Sequence, residues 1–238
     1  MSSSRHKGEG HRERLRDKFL ENGLAGFADY EVIELLLTLA TPRKDCKQPA
    51  KQALAKFKTI PGVLEAADSE LFEINGIGKK NIFGIKLIKA AASRYLKERL
   101  KGNNAIKNSE DLLDYLYFNL RHKDKEYCLA IYLDIKNNIL NMETISEGSL
   151  GITGVYPREI VKAAIKNKAA SVILVHNHPS GDPEPSKPDI NITKKIASAL
   201  KTIDIKLLDH IIIGNNKYYG FSDKGDMKII EKGLEKDG

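Results

Sequence analysis

The stretch His176-Asn177-His178-Pro179-Ser180-Gly181-Asp182-Pro183-Glu184-Pro185-Ser186-Lys187-Pro188-Asp189 follows directly on the apolar run 171–175. Alternate residues of a strand point to one face, so His176 and His178 leave the end of that strand on the same side. Pro179, Ser180 and Gly181 break the strand, and three further prolines stiffen a loop that returns Asp189 to the neighbourhood. Two imidazoles and one carboxylate suit Zn²⁺, one ion per chain. Three protein ligands leave a fourth position for water, which is the form of a catalytic site rather than a closed structural one. Such an ion lowers the pKa of its water towards neutrality, and a neighbouring base must manage the proton. Glu126, at the start of the first expected strand of this part, is the first candidate, with Glu143 and Glu147 on the returning strand as alternatives. Ser186 is placed to donate a hydrogen bond to an oxyanion. Ser186 and Asp189 also have the spacing of a helix capping box, and an N-cap serine can still face a metal. The bland reading of the His-x-His pair is two partly exposed strand-end histidines.

Outward from this stretch the hydrophobic period switches repeatedly. Residues 109–120 read as a helix with a Ser cap. Residues 127–134 alternate as a strand, turn at Lys136-Asn137-Asn138, and return over 139–145. Residues 157–168 form an expected helix opened by Pro157, 171–175 a strand, and 190–203 a helix. Residues 205–213 and 217–221 are expected strands around Gly214-Asn215-Asn216. Strands alternating with helices predict an α/β three-layer domain over residues 103–238, ending in a C-terminal helix. Residues 1–102 predict a small all-helical module. Its helices are 11–22, 29–39 with Asp29 as N-cap, 48–57, 69–73 and 79–101, and Gly102-Asn103-Asn104 is the linker.

The chain has 238 residues, and 39 Lys+Arg against 32 Asp+Glu give a net charge of +7. Residues 1–102 carry 20 and 13 of these, while residues 103–238 carry 19 and 19, so the surplus marks the first module as the partner of a polyanion. A solubilising surface is the competing explanation. With 41% hydrophobic and 30% charged residues the composition is that of a globular protein. No run of 18 apolar residues and no apolar core near the N-terminus occur, which argues against a membrane span or signal peptide. Two cysteines, Cys46 and Cys128, cannot build a disulfide framework, and a cytoplasmic address is expected. Cys128 reads as a buried strand residue. Cys46, beside Lys44 and Lys47, reads as a candidate reactive thiol that no other residue supports.

Between helices 69–73 and 79–101 stands Ile74-Asn75-Gly76-Ile77-Gly78-Lys79-Lys80. Gly76 and Gly78 permit a tight turn whose amides, with the following helix N-terminus, can approach a phosphate, and Lys79 and Lys80 add charge. The segment resembles the helix-hairpin-helix motif, which grips DNA backbone without reading sequence. Thr59-Ile60-Pro61-Gly62-Val63 resembles a degenerate second copy. Ile82 departs from the motif, which commonly has alanine there. A glycine-rich connection without a ligand is the bland alternative.

His-x-His, seven residues, Ser, two residues and Asp resemble the JAMM signature of MPN/JAB-domain metalloproteins, with His176, His178, Ser186 and Asp189 in register. Within that superfamily the chain is similar to bacterial RadC-type proteins, through His-Asn-His-Pro-Ser-Gly-Asp at 176–182, Pro157-Arg158-Glu159-Ile160, Leu208-Asp209-His210-Ile211 and Arg12-Glu13-Arg14-Leu15-Arg16. The resemblance implies a cytidine-deaminase-like α/β fold for the second domain. It also implies Zn²⁺ on His176, His178 and Asp189, with Glu126 as general base. Peptidase members of the superfamily cleave isopeptide bonds.

The leading expectation is therefore a JAMM-type zinc hydrolase acting on a peptide or protein amide, joined to a helical module that meets the DNA backbone through residues 1–102. The alternative is a non-enzymatic DNA-associated accessory factor in repair or recombination. A two-metal nuclease lacks the expected additional acids, and a deaminase lacks its His-x-Glu and Pro-Cys-x-x-Cys pattern. Asp209 and His210 read either as partners that orient a ligand histidine or as strand-end groups satisfied by backbone.

Overall fold

The structure, a computed structural model, describes residues 9–41, 44–121, 123–148, 154–215 and 217–236. It divides into two compact units, Met1–Ala92 and Ser93–Gly238.

The first unit is helical: α1 (Glu9–Asn22), α2 (Asp29–Thr38), α3 (Lys47–Phe57), α4 (Ile60–Glu65), α5 (Asp68–Phe72) and the first half of α6 (Ile82–Leu100). Ile33, Leu37, Ala50, Val63, Leu71 and Ile85 fill its core. The N-cap of α2 is Ala28 rather than Asp29. Glu31, three residues on, reaches back to accept the Ala28 N–H at 3.0 Å, a span that a residue in the first helical position does not bridge. Thr59 caps α4 by accepting the Gly62 N–H at 3.0 Å, so the segment that resembles a second hairpin begins a short helix.

The division falls inside α6, ten residues before the expected linker. Ile82 and Ile85 belong to the first core, Leu96 and Leu100 to a core of the second unit. The charge divides accordingly. Residues 1–92 carry 16 Lys+Arg and 12 Asp+Glu, and residues 93–238 carry 23 and 20, so neither unit is neutral.

The second unit contains α7 (Ser109–Leu120), β1 (Glu126–Leu133), β2 (Ile139–Gly148), α8 (Pro157–Lys166), β3 (Ser171–Asn177), α9 (Lys187–Lys201), β4 (Lys206–Ile213), β5 (Tyr218–Gly220), α10 (Phe221–Lys224) and α11 (Asp226–Lys236). The sheet order is β2-β1-β3-β4-β5, with β3 and β4 parallel and the other neighbours antiparallel. Along β1, Cys128, Ala130 and Tyr132 enter a core with Ile160 of α8, Ile196 of α9 and Met227 of α11. Leu129, Ile131 and Leu133 enter a second core with Leu112 and Leu116 of α7. Each central strand thus alternates between two cores rather than between core and water, which is why β3 is buried at every position. This is a mixed α/β domain in three layers. The expected strand 217–221 stops at Gly220, because Phe221 turns into the core and opens α10.

At Gly84 of α6 a Cβ would run into the carbonyl oxygen of Leu36, whereas at Gly78 it would meet nothing within 4 Å. Gly84→Ala is expected to destabilise the chain by about 1–3 kcal/mol, as overpacking does. Gly78→Ala is expected to shift stability by less than about 0.5 kcal/mol. Denaturant unfolding of the two variants distinguishes these outcomes.

Candidate metal centre

β3 lies at the middle of the sheet, and His176 occupies its next-to-last position, only 1% exposed. It pairs across the sheet with Cys128 of β1 and faces α9. His178 follows just past the strand, its N–H donating to the Ile213 carbonyl at 2.9 Å. Asp189 comes from the first turn of α9. The Nε2 atoms of the two histidines are 3.0 Å apart. Asp189 Oδ1 lies 3.3 Å from His176 Nε2, and Asp189 Oδ2 lies 3.4 Å from His178 Nε2.

Metal bonds of roughly 2.0–2.1 Å in a tetrahedron put neighbouring ligand atoms about 3.3–3.4 Å apart. The three donors already stand at nearly that spacing, so they fit one small divalent cation without rearrangement. They are the group among the described residues whose donor types and closeness match a metal. His178 is the more open of the two histidines, which leaves its side of the site for a further ligand such as water.

Asp189 is held by its own helix. Ser186 is the N-cap of α9, and its N–H and hydroxyl both donate to Asp189 Oδ2, at 2.7 and 2.6 Å. Ser186 Oγ in turn accepts the Asp189 N–H at 3.3 Å. The capping-box spacing in the sequence thus places the candidate ligand Asp189, and the serine hydroxyl proton is committed to its carboxylate.

The loop between the histidines and α9 is anchored with equal economy. Gly181 has φ of +85°, a conformation that side chains disfavour, and its carbonyl accepts the Asn215 N–H at 3.0 Å. The turn lets the Asp182 carbonyl accept His178 Nδ1–H at 2.7 Å.

Burial outweighs every other influence on Asp189 taken singly and would raise its pKa. Its combined polar contacts with His176, His178 and Ser186 nevertheless hold the carboxyl well below the usual range. Burial lowers His176, while the hydrogen bond to Asp189 raises His178. A proton on His178 competes with a cation for Nε2, so metal affinity rises with pH through that elevated value.

Glu126 begins β1, two residues before Cys128 and hence on the same side of the sheet as His176. Its charge favours protonation of both His176 and His178. The alternatives lie elsewhere. Glu147 accepts from the hydroxyl of Tyr127, which packs against the α7-side core, and Glu143 pairs with Ala130, about 13 Å along β1 from Glu126.

Sequence comparisons bear on this site. A family model described as the RadC-like JAB domain matches residues 106–226. A UPF0758 protein of Fusobacterium nucleatum is 43% identical over 224 residues, covering 91% of this chain and 97% of the relative. UPF0758 proteins of Ruegeria pomeroyi and Rhodobacter capsulatus are 39% and 37% identical, each aligned with at least 89% of this chain and 96% of the relative. The chain belongs to the RadC-like JAB-domain family.

Within this RadC-like JAB domain the structure brings together the three residues read as ligands and sets Glu126 on their side of the sheet. Two participants, Asn177 and Thr193, escaped the sequence reading, while His210 stands against His176 as one of its two readings had it. Asn177, between the two histidines, is 1% exposed. Its Oδ1 accepts the Tyr127 N–H at 2.8 Å and its Nδ2 donates to the Lys125 carbonyl at 3.0 Å, so it grips the backbone on both sides of Glu126. The β1–β3 ladder has ended one residue earlier, and the side-chain amide continues it. His210 and Thr193 line up behind His176, with His176 Nδ1 and His210 Nε2 2.8 Å apart and His210 Nδ1 2.7 Å from Thr193 Oγ1. Asp209 orients no ligand; its Oδ1 accepts the N–H groups of His210 and Ser222. Cys128 is 2% exposed, and burial drives its thiol far above the ordinary value. Cys46 is likewise buried, and burial raises its thiol despite the nearby lysines.

At the glycine turn of the first unit, Gly76 has φ of +92° and packs on Pro49, whose Cγ would lie 2.7 Å from an added Cβ. The Gly78 N–H donates to Asn81 Oδ1 at 2.7 Å, so that amide is taken by the turn itself. Lys79 and Lys80 precede α6, whose start is closed by the Asn81 and Ile82 N–H groups donating to the Gly78 carbonyl at 3.1 and 3.2 Å. The two lysines line a cleft with Thr41, Lys44 and Asn81.

Asn177→Ala removes two buried hydrogen bonds without touching a ligand. A loss of about 2–4 kcal/mol in stability is expected, with faster amide exchange at Tyr127. Metal affinity measured by chelator competition should change less than threefold.

Proposed function

We propose that this chain is a zinc-dependent hydrolase of the JAMM type, cleaving an amide or isopeptide bond in a peptide or protein. The observation that carries the reading is the convergence of His176 Nε2, His178 Nε2 and an Asp189 carboxylate held below its usual pKa, at separations that suit one tetrahedral ion. Zinc held there supplies a Lewis-acidic centre at which water becomes acidic near neutrality. The residues of the chain do the rest. Glu126 acts as general base and passes the proton to the leaving amine. Asn177 fixes the backbone from which Glu126 projects. Ser186 keeps Asp189 in place, and its oxyanion role requires the hydroxyl to turn from Asp189 Oδ2. Membership in the RadC-like JAB family supports this reading, as does burial of His176 and Asp189 beside a more open His178.

The purified chain is expected to hold about one zinc, lost in the double variant His176→Ala with His178→Ala. Offered unlabelled peptide, isopeptide-linked and DNA substrates, the zinc-loaded chain should cleave an amide. Glu126→Gln should retain the metal and slow cleavage by about 10²–10⁴-fold, the usual contribution of a general base. Absence of stoichiometric zinc, or cleavage indifferent to Glu126→Gln, contradicts the proposal. A cellular function untouched by these changes points instead to the accessory-factor alternative.

A second reading rests on the cleft formed by Lys44, Lys79 and Lys80 around the glycine turn. Three cations around one cleft favour a phosphate, and the DNA backbone is the polyanion proposed for it. The triple variant Lys44→Glu, Lys79→Glu and Lys80→Glu is expected to weaken sequence-independent duplex binding and to flatten its salt dependence, read by fluorescence anisotropy. Unaltered binding and slope would count against the cleft.

A further inference from the structure

The hydrogen bonds behind His176 have a direction that can be deduced atom by atom. The chain begins at the Asp189 backbone carbonyl, which only accepts, and Thr193 Oγ1 lies 2.5 Å from it. The single hydroxyl hydrogen of Thr193 is therefore used on that carbonyl. Oγ1 meets His210 Nδ1 at 2.7 Å with lone pairs alone, so His210 Nδ1 carries the hydrogen of that bond. His210 is 0% exposed and stacks on Phe221 with ring centroids 4.9 Å apart. An imidazolium in that setting, without a carboxylate contact of its own, costs far more than a neutral ring. With Nδ1 protonated and the ring neutral, His210 Nε2 is a bare acceptor. The hydrogen of the 2.8 Å contact then sits on His176 Nδ1, and His176 Nε2 presents its lone pair to His178 and Asp189.

We propose that Thr193 and His210 are positioning residues that fix His176 as its Nδ1–H tautomer, so that its metal-binding nitrogen is bare before any ion arrives. This rests on the metal reading of the site above and extends it to two residues that touch neither metal nor substrate. Neutral imidazole in water favours hydrogen on Nε2 modestly, so the relay opposes the intrinsic preference of the ring. His178 is treated in parallel by a shorter device. Its Nδ1 meets the carbonyl of Asp182 at 2.7 Å, an acceptor that again demands the hydrogen on Nδ1.

The relay also closes on itself. Thr193 is four residues after Asp189 on α9, so both lie on one face of the same helix. The helix turn that supplies the carboxylate ligand thereby supplies the acceptor that orients the imidazole ligand on β3. Rotation or sliding of α9 would disturb both ligands together. Outer partners of this kind typically contribute 10–100-fold in metal affinity.

Nitrogen-15 NMR of histidine-labelled, metal-free full-length chain reads tautomers directly, without a substrate. His176 and His210 are expected to carry hydrogen on Nδ1. Thr193→Val keeps the shape and removes the hydroxyl; it should mix the tautomers of both rings and weaken zinc binding about 10–100-fold by chelator competition. Thr193→Ser should restore both. Hydrogen on His176 Nε2 in the parent chain overturns the proposal. So does a folded Thr193→Val chain with unchanged ring signals and zinc affinity. Should Thr193→Val fail to fold, the parent tautomers and Thr193→Ser still decide. A chain that shows the expected tautomers yet cleaves no amide would defeat the hydrolase reading and leave the relay intact.

Discussion

Two imidazole nitrogens and a carboxylate face one another within 3.4 Å, and electron-rich atoms do not hold such positions on their own. A shared cation would turn that mutual repulsion into attraction, and the surrounding structure holds the three groups in place without one. His176 is locked in the most central strand of the sheet, with apolar layers on both faces. Asp189 is clamped three ways by Ser186 at the head of a fifteen-residue helix. His178 is tied through backbone to Ile213 and through Nδ1 to Asp182. Rigidity of this order is what a preorganised first coordination sphere requires.

The fold places these groups through one choice. Because β1 and β3 bury both faces, the sheet can only be the middle of three layers, and α9 must lie over its end. The first turn of α9 then meets the ends of β3 and β1 on one side of the sheet. Glu126 is brought into the same neighbourhood by the register Cys128↔His176 and by the amide of Asn177, which continues the ladder where main-chain pairing stops.

Much of this was legible in the sequence. The His-x-His pair, the prolines and the Ser186–Asp189 spacing encode local geometry, and local geometry survives folding. The order of helices and strands was legible for the same reason. What stayed hidden depends on contacts distant along the chain. His210, 34 residues from His176, was readable as a partner of that histidine, but Thr193, 17 residues from His210, carries no local pattern that announces its place behind it. A polar residue inside the apolar run of β4 was the available signal, and it was equally compatible with backbone satisfaction. Gly76 and Gly78 show the converse. Their spacing reads as a phosphate turn, yet Pro49 and Asn81 explain much of it by packing and capping. The charge surplus also looked like a property of the first 102 residues until the division inside α6 shared it between both units.

The central claim is that His176, His178 and Asp189 form one coordination site for zinc. X-ray absorption spectroscopy of the zinc-loaded full-length chain tests it most directly, because it reports the ligand atoms themselves. The account predicts a shell of nitrogen and oxygen at about 2.0–2.1 Å with outer-shell scattering from two imidazoles and none from sulfur. A sulfur shell near 2.3 Å, or scattering from three or more imidazoles, would contradict it.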